Sequence, residues 1–99
     1  MEVSVSGRHT AVPETLRQQA TEKIGRLDRY LSGMERAEVH FWQEHKRKKG
    51  DSDFCEVTME GHGHHVRCKV SAPDSFTAVD LAVDKLERQL RKLKTKVQK

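Results

Sequence analysis

The chain has 99 residues, enough for one compact domain and too few for a deep active-site cavity beside a hydrophobic core. It is 34% hydrophobic and 34% charged with a net charge of +4, which excludes a membrane-embedded or disordered class of protein. No apolar run has the length of a signal peptide or a membrane helix, so we expect a cytoplasmic protein without a membrane partner.

The first half of the sequence predicts a strand, a helix and a second strand. Polar and apolar residues alternate over residues 2–6, as in a short strand. Apolar residues then recur every three or four positions over 16–31, which is typical of one amphipathic helix ending near Ser32-Gly33. Residues 37–44 alternate again and predict the second strand, and residues 45–53 are expected to form a charged loop.

The second half predicts a β-hairpin followed by a long helix. Residues 54–60 and 65–70 alternate on either side of a glycine-containing turn at 61–64. Asp74 or Ser75 can cap the helix. Its predicted apolar positions are Phe76, Val79, Val83, Leu86, Leu90, Leu93 and Val97. The expected fold is α+β, a β-α-β-β-β-α domain over residues 1–99 with a four-stranded sheet and both helices on one face.

No arrangement of residues in the sequence favours an enzyme or a cofactor. Cys55 and Cys68 occupy inward strand positions and have no metal or redox spacing, so we interpret them as reduced core side chains. His62, His64 and His65 suggest a metal, but alternation sends the last two to opposite sides, which favours a solvated turn. We predict no catalytic residue, no metal site and no small-molecule substrate.

The excess of positive charge lies in the last quarter of the chain. Residues 1–74 carry 12 basic and 12 acidic residues, whereas six basic residues and no acidic one follow from Arg88 onward. Helical spacing places Lys85, Arg88, Lys92, Lys96 and Lys99 on one stripe opposite the apolar seam. A solvated face is the alternative interpretation. The acid-free run favours phosphate binding, because neutralised phosphates release condensed counterions.

Three other features bear on RNA binding. Lys23, Arg26 and Arg29 form a slanted row on the first helix that can border the same groove. The basic loop 45–50 is either a phosphate contact or a solvated connection, and we favour the second interpretation slightly. Trp42 can stack on a base, but the further aromatic residues and the final strand of a sheet-based RNA reader are missing, so we expect neighbouring side chains to cover it partly.

The element order and several segments closely resemble the bacterial ribosome hibernation promoting factors and ribosome-associated inhibitors, over essentially the whole chain. The segments that carry the likeness are 6–8, 22–30, 74–80 and 84–92. The resemblance implies a domain, similar in shape to double-stranded RNA-binding domains, that lodges in the decoding channel of the small ribosomal subunit and excludes mRNA and tRNA. Long members of the family carry a separate dimerisation domain, so ribosome dimerisation would need a part that these residues do not contain.

Carried over by position, the resemblance also implies which residues face rRNA. They are Lys23, Arg26, Arg29, Lys85, Arg88, Arg91, Lys92 and Lys96. Arg91 lies about a third of a turn away from the stripe of the last helix. Two other classes of function stay open: a generic double-stranded RNA-binding module, and a homo-oligomerising domain that uses the exposed sheet face with His40 and Trp42.

Overall fold

The computed structural model describes residues 1–44 and 52–97, with the side chains of 95–97 outside that description. The predicted loop 45–50 therefore lies outside the described residues. The elements are β1 (Glu2–Gly7), α1 (Glu14–Gly25), a 3₁₀ segment (Arg26–Arg29), β2 (Arg36–Gln43), β3 (Asp53–Gly61), β4 (His64–Ala72) and α2 (Ser75–Val97). Neither helix is long and apolar enough to cross a membrane.

The four strands form one sheet in the order β1-β2-β3-β4, so β1 and β4 are its edges. β1 and β2 run parallel and are joined by α1, whereas the other neighbours run antiparallel. α1 packs on β1, and α2 packs on β3 and β4. The predicted β-α-β-β-β-α order and α+β class are confirmed. No helix of the described residues covers the other face of the sheet, which we call the open face.

Strand alternation builds the core as predicted. Val39, Val57 and Cys68 lie side by side in the sheet register and are buried beneath the helices. Ile24 of α1 and Leu86 of α2 meet them and are fully buried. Burying an aliphatic side chain of this size stabilises the fold by about 1.5–3 kcal/mol.

The first helix is shorter than predicted. α1 ends at Gly25, and the chain continues through the 3₁₀ segment. Glycine is a poor helix former, yet the apolar stripe still reaches the core, since Leu27 and Leu31 are buried. The change affects Arg26 and Arg29, because residues three apart eclipse each other in a 3₁₀ helix and both side chains therefore point the same way.

Three smaller expectations were wrong. Asp53 begins β3, although we had placed it in the loop. The hairpin turn is only His62-Gly63. Phe76 is 38% exposed, while the buried surface of α2 includes Ala78 and Ala82. Small side chains such as these allow a helix to lie close to a sheet, and the larger Phe76 in the first turn of α2 stays partly exposed.

Asp74 caps α2, as one of the two predicted alternatives. Its carboxylate accepts hydrogen bonds from the Thr77 backbone N–H at 2.8 Å and from the Thr77 hydroxyl at 2.9 Å. The first of these satisfies a backbone donor that has no partner within the helix. The two bonds hold the pKa of the Asp74 carboxyl below its ordinary value, because they favour its charged form.

Candidate RNA-binding surface

A groove of about 130 Å³ separates the first helical region from α2. Lys23 of α1 and Arg26 and Arg29 of the 3₁₀ segment line one wall, and Glu87 of α2 lines the other. Tyr30 lies at its end. The eclipsed side chains of the 3₁₀ segment thus place two guanidinium groups beside the ammonium group of α1.

Tyr30 connects this groove with the basic part of α2. The Cζ atom of Arg29 lies 5.1 Å from the centre of the Tyr30 ring, and that of Arg91 lies 5.2 Å from it. Arg29 also donates a hydrogen bond of 3.1 Å to the Tyr30 hydroxyl. Both guanidinium groups are within cation–π distance of one ring. Arg91, which lies off the predicted stripe, is therefore brought to the cations of the first helix.

Two carboxylates of α2 partly neutralise the groove. Lys23 Nζ lies 2.5 Å from Asp80 Oδ1, and Arg91 Nη2 lies 3.9 Å from Glu87 Oε2. Ion pairs between exposed side chains such as these contribute about 0–1 kcal/mol. An incoming phosphate can therefore replace either carboxylate at a small energetic cost, whereas Arg26 and Arg29 have no carboxylate partner among the described residues.

Three further predicted cations, Lys85, Arg88 and Lys92, lie on the opposite flank of α2. Lys85 and Arg88 border a cavity of about 350 Å³ beside β4, together with Lys69 and Asp84. Lys92 borders the next cavity along the same flank. Within the described part of the chain, none of Lys85, Arg88 and Lys92 forms a hydrogen bond or an ion pair.

The predicted site residues therefore form two groups, one on each flank of α2. We call Lys23, Arg26, Arg29 and Arg91 the inter-helix cations, and Lys85, Arg88 and Lys92 the edge cations. The side chain of Lys96, in the last turn of α2, lies outside the described residues. That all of these residues bind RNA stays a prediction.

Sequence reasoning missed residues on both flanks. Tyr30 had no periodic signal to mark it, although an aromatic residue directly after Arg29 could have suggested a stacking partner. Lys69 of β4 borders the same cavity as Lys85 and Arg88, although its ammonium group lies over the Trp42 ring on the open face. Lys94 is exposed and lies three residues after Arg91, on the same flank of α2. This spacing could have been recognised in the sequence.

The flank beside β4 also carries one contact that joins helix and sheet. The Gln89 side-chain amide donates a hydrogen bond of 3.0 Å to the backbone carbonyl of Arg67 on β4. Gln89 lies between Arg88 and Lys92 along the helix and points toward the outermost strand. This hydrogen bond therefore attaches the part of α2 that carries Arg88 and Lys92 to β4.

Trp42 on the open face is partly covered, as expected. Its ring stacks on Phe54 of β3 with centroids 5.5 Å apart and an angle of 13° between planes. Its indole N–H donates to Glu44 at 2.8 Å. The cations of Arg8 and Lys69 lie 5.7 and 6.0 Å from the ring centre.

The two cysteine thiols are held in their protonated form. Burial is the main cause that raises the pKa of Cys55 to about 12 and that of Cys68 to about 11. Because the thiolate is the nucleophile and the metal ligand, neither side chain is set up for such chemistry near neutral pH. No cluster of three or more His, Cys, Asp and Glu side chains suited to a metal occurs within residues 1–44 and 52–97.

Comparison with known families identifies the class of this domain. The family described as sigma 54 modulation protein / S30EA ribosomal protein matches residues 3–98, so the chain belongs to that family. A ribosome hibernation promotion factor of Deinococcus radiodurans is 37% identical over 96% of this chain, and that of Bacillus subtilis is 35% identical over 98%. The chain spans half the length of each of these two relatives.

A shorter relative and two solved structures match over most of their lengths. The Pseudomonas putida ribosome hibernation promoting factor is 32% identical over 99% of this chain and 91% of its own. The N-terminal domain of Thermus thermophilus Protein Y superposes with a TM-score of 0.80 at 29% identity, covering 94% of this chain and 99% of that one. A ribosomal subunit interface protein from Coxiella burnetii, 21% identical, shares the fold with a TM-score of 0.81 over 96% and 99% of the two chains.

Proposed function

We propose that this chain is a ribosome hibernation domain that binds the small ribosomal subunit through rRNA and blocks mRNA and tRNA in the decoding channel. Membership of the family supports this, as do relatives that are named ribosome hibernation factors. A domain with this role works in the cytoplasm, where the ribosomes are.

The observation that carries the proposal is the convergence of cations from separate elements on Tyr30. The 3₁₀ segment supplies Arg29 and α2 supplies Arg91, so both helical regions present guanidinium groups to one surface. Arginine is suited to phosphate because its planar fork can donate two parallel hydrogen bonds. A surface preorganised in this way loses less side-chain entropy when it binds.

Inhibition in this proposal is steric and needs no chemical step. Phosphate contacts supply the affinity and fix the orientation of the domain, since they neutralise the RNA backbone without reading its sequence. The packed sheet and helices then fill the space that mRNA and tRNA would occupy. No covalent bond is made or broken.

The proposal is tested by sedimentation of the purified protein with small subunits at low and moderate salt, with large subunits as the control. We expect co-sedimentation with small subunits that weakens as salt rises, and release of a labelled mRNA from programmed subunits. Absence of binding at both salt concentrations would refute the proposal. Binding without mRNA release would refute the steric mechanism.

The affinity for a plain RNA duplex distinguishes a generic double-stranded RNA-binding module from the proposed ribosome-binding domain. Asp80, near the start of α2, already pairs with Lys23, so that end of the helix presents a carboxylate where duplex binding would require cations. We expect a short RNA duplex to bind much more weakly than subunits at equal salt. Equal affinities would favour the generic module.

A further inference from the structure

The histidines of the β3–β4 turn have no role in the proposed function. The turn consists of His62 and Gly63, with φ values of 47° and 77°, so both central residues are left-handed as in a tight two-residue hairpin. This short connection starts β4 at His64. Alternation then puts His64 on the same side of the sheet as Val66, which is buried, and His65 on the open side.

The side chain of His64 lies next to the basic end of α2. It borders a cavity of about 470 Å³ whose helix wall includes Gln89, Lys92 and Leu93. His64 is half-buried and Lys92 is exposed. Among the described residues, neither side chain has a hydrogen-bond or ion-pair partner. An imidazole and an ammonium group thus border one cavity, and both have hydrogen-bond donors that no described residue uses.

His65 differs from His64 in having an internal partner. Its Nε2 atom lies 3.8 Å from Oε1 of Glu60. The second oxygen of Glu60 accepts a hydrogen bond of 2.7 Å from Arg36. His65 therefore has a carboxylate neighbour, whereas His64 has no such partner among the described residues and borders the same cavity as Lys92.

We propose that His64 and Lys92 bind a backbone phosphate of RNA, and that this contact strengthens as the pH falls. The inference rests on the proposed function, because it adds one site to the edge cations. Imidazole is the side chain whose charge ordinarily changes between pH 5 and 8. When protonated it offers two donors instead of one, and hydrogen bonds from a charged donor are roughly twice as strong.

The row of cations on this flank favours RNA over an acidic protein segment. Lys85, Arg88 and Lys92 follow one another at three- and four-residue spacing, about one per helix turn of 5.4 Å. His64 continues this row beyond the helix onto the sheet. A regular row of positive charges matches the regular charge of a nucleic-acid backbone, where each neutralised phosphate releases counterions.

Charged groups around His64 come from the turn, the start of β2 and the residue before it, β3, β4 and α2. They are Glu35, Arg36, Glu60, His62, His65 and Lys92. A phosphate bound next to His64 places negative charge beside the imidazole, so proton binding and RNA binding reinforce each other.

The test compares wild type and H64Q in binding to purified small subunits at pH 7.5 and pH 6.0, at constant ionic strength. At pH 7.5 we expect the two dissociation constants to agree within about twofold. At pH 6.0 we expect wild type to bind about fivefold more tightly than H64Q, from one charge-assisted hydrogen bond. H65Q is the matched control and should keep the full pH effect, because His65 faces Glu60.

Several results would overturn the inference. A pH effect of equal size in H64Q and wild type would do so, as would equal wild-type affinity at both pH values. Circular dichroism checks that the variant is folded, and H64N provides a second uncharged side chain if H64Q is not. Polyglutamate and an RNA duplex are also added as competitors. If polyglutamate abolishes the pH effect and the duplex does not, the site binds acidic protein and the inference is wrong. Failure of wild type to bind at either pH would refute the proposed function itself.

Discussion

The Tyr30 ring lies within cation–π distance of the guanidinium groups of both Arg29 and Arg91, which come from different elements. Each cation–π contact at an exposed site contributes about 0.5–1 kcal/mol. Replacing Tyr30 by Ala should free both side chains and weaken binding to small subunits by about fivefold, whereas Tyr30→Phe keeps the ring and should lose less than about twofold. Titration of labelled protein with subunits measures both, and equal losses would show that the ring does not position the arginines.

Asp74 permits a prediction about acid stability. Hydrogen bonds from Thr77 lower the pKa of this carboxyl in the folded state below its ordinary value of 3.8. A lowered folded-state pKa means that the stabilisation is present above pH 3.8 and is lost as the pH falls through the folded-state value. Asp74→Ala should therefore lower the melting temperature at pH 7 and change it much less at pH 2.

The measurement is thermal unfolding followed by circular dichroism at both pH values. Ser75→Ala is the matched control, since it changes the neighbouring residue and leaves both bonds between Asp74 and Thr77 in place. A decrease in melting temperature that is the same at pH 7 and pH 2 would contradict the assigned origin of the stabilisation.

At the scale of elements, α2 depends on two alanines for its close contact with the sheet. Ala78 and Ala82 are completely buried, and the carbonyl of Ala82 accepts a weak hydrogen bond from the Cys68 thiol at 3.7 Å. Ala82→Leu should lower the free energy of unfolding by about 1–3 kcal/mol, because the extra atoms push helix and sheet apart. Leu81→Ala, at a position 41% exposed, should change it by about 0.5 kcal/mol or less.

Chemical denaturation with urea gives both free energies of unfolding. A small effect of Ala82→Leu would mean that the helix can shift without cost, which would contradict the close packing at Ala82. A large effect of Leu81→Ala would mean that this exposed side chain has a partner.

The elements that the sequence predicts well are those with a strong period. Alternation located all four strands, and the spacing from Val79 to Leu90 located α2, because burial on one face imposes that period on the chain. The end of α1 could not be read in this way, since Leu27 and Leu31 remain buried whether the backbone is α or 3₁₀. Phe76 was misplaced because hydrophobicity alone does not reveal how close the helix lies to the sheet.

For the candidate site, the sequence predicts the position of each cation on its own helix but not how the cations are arranged together. Helical spacing gives the direction of each side chain on its own helix. Whether Arg91 meets Arg29 depends on how α1 and α2 pack against each other, which no local pattern contains. The division into inter-helix and edge cations therefore required the tertiary structure.

At the scale of the whole molecule, we predict that the inter-helix cations and the edge cations contribute separately to subunit binding. Reversing Arg26 and Arg91 to Glu removes inter-helix cations, and reversing Arg88 and Lys92 to Glu removes edge cations. Each double variant should abolish subunit binding at moderate salt with the fold intact, because all four side chains are exposed. Where binding is measurable at low salt, each should reduce the slope of log affinity against log salt by about 2.

Sedimentation across a salt series measures the slopes, and circular dichroism checks the fold. Arg67→Glu on the open face is the control and should keep the wild-type slope. If a double variant binds as tightly as wild type, the group of cations that it changes does not belong to the interface.

The hydrogen bond from Gln89 to the carbonyl of Arg67 has a consequence for solubility. β4 ends the sheet, and an uncovered outer strand offers its backbone to any other extended chain, which is a common route to aggregation. Here a helix side chain occupies one carbonyl of that strand, and the charged side chains of Arg67 and Lys69 stand exposed along it. These charges and the occupied carbonyl oppose strand-to-strand pairing between copies of this domain.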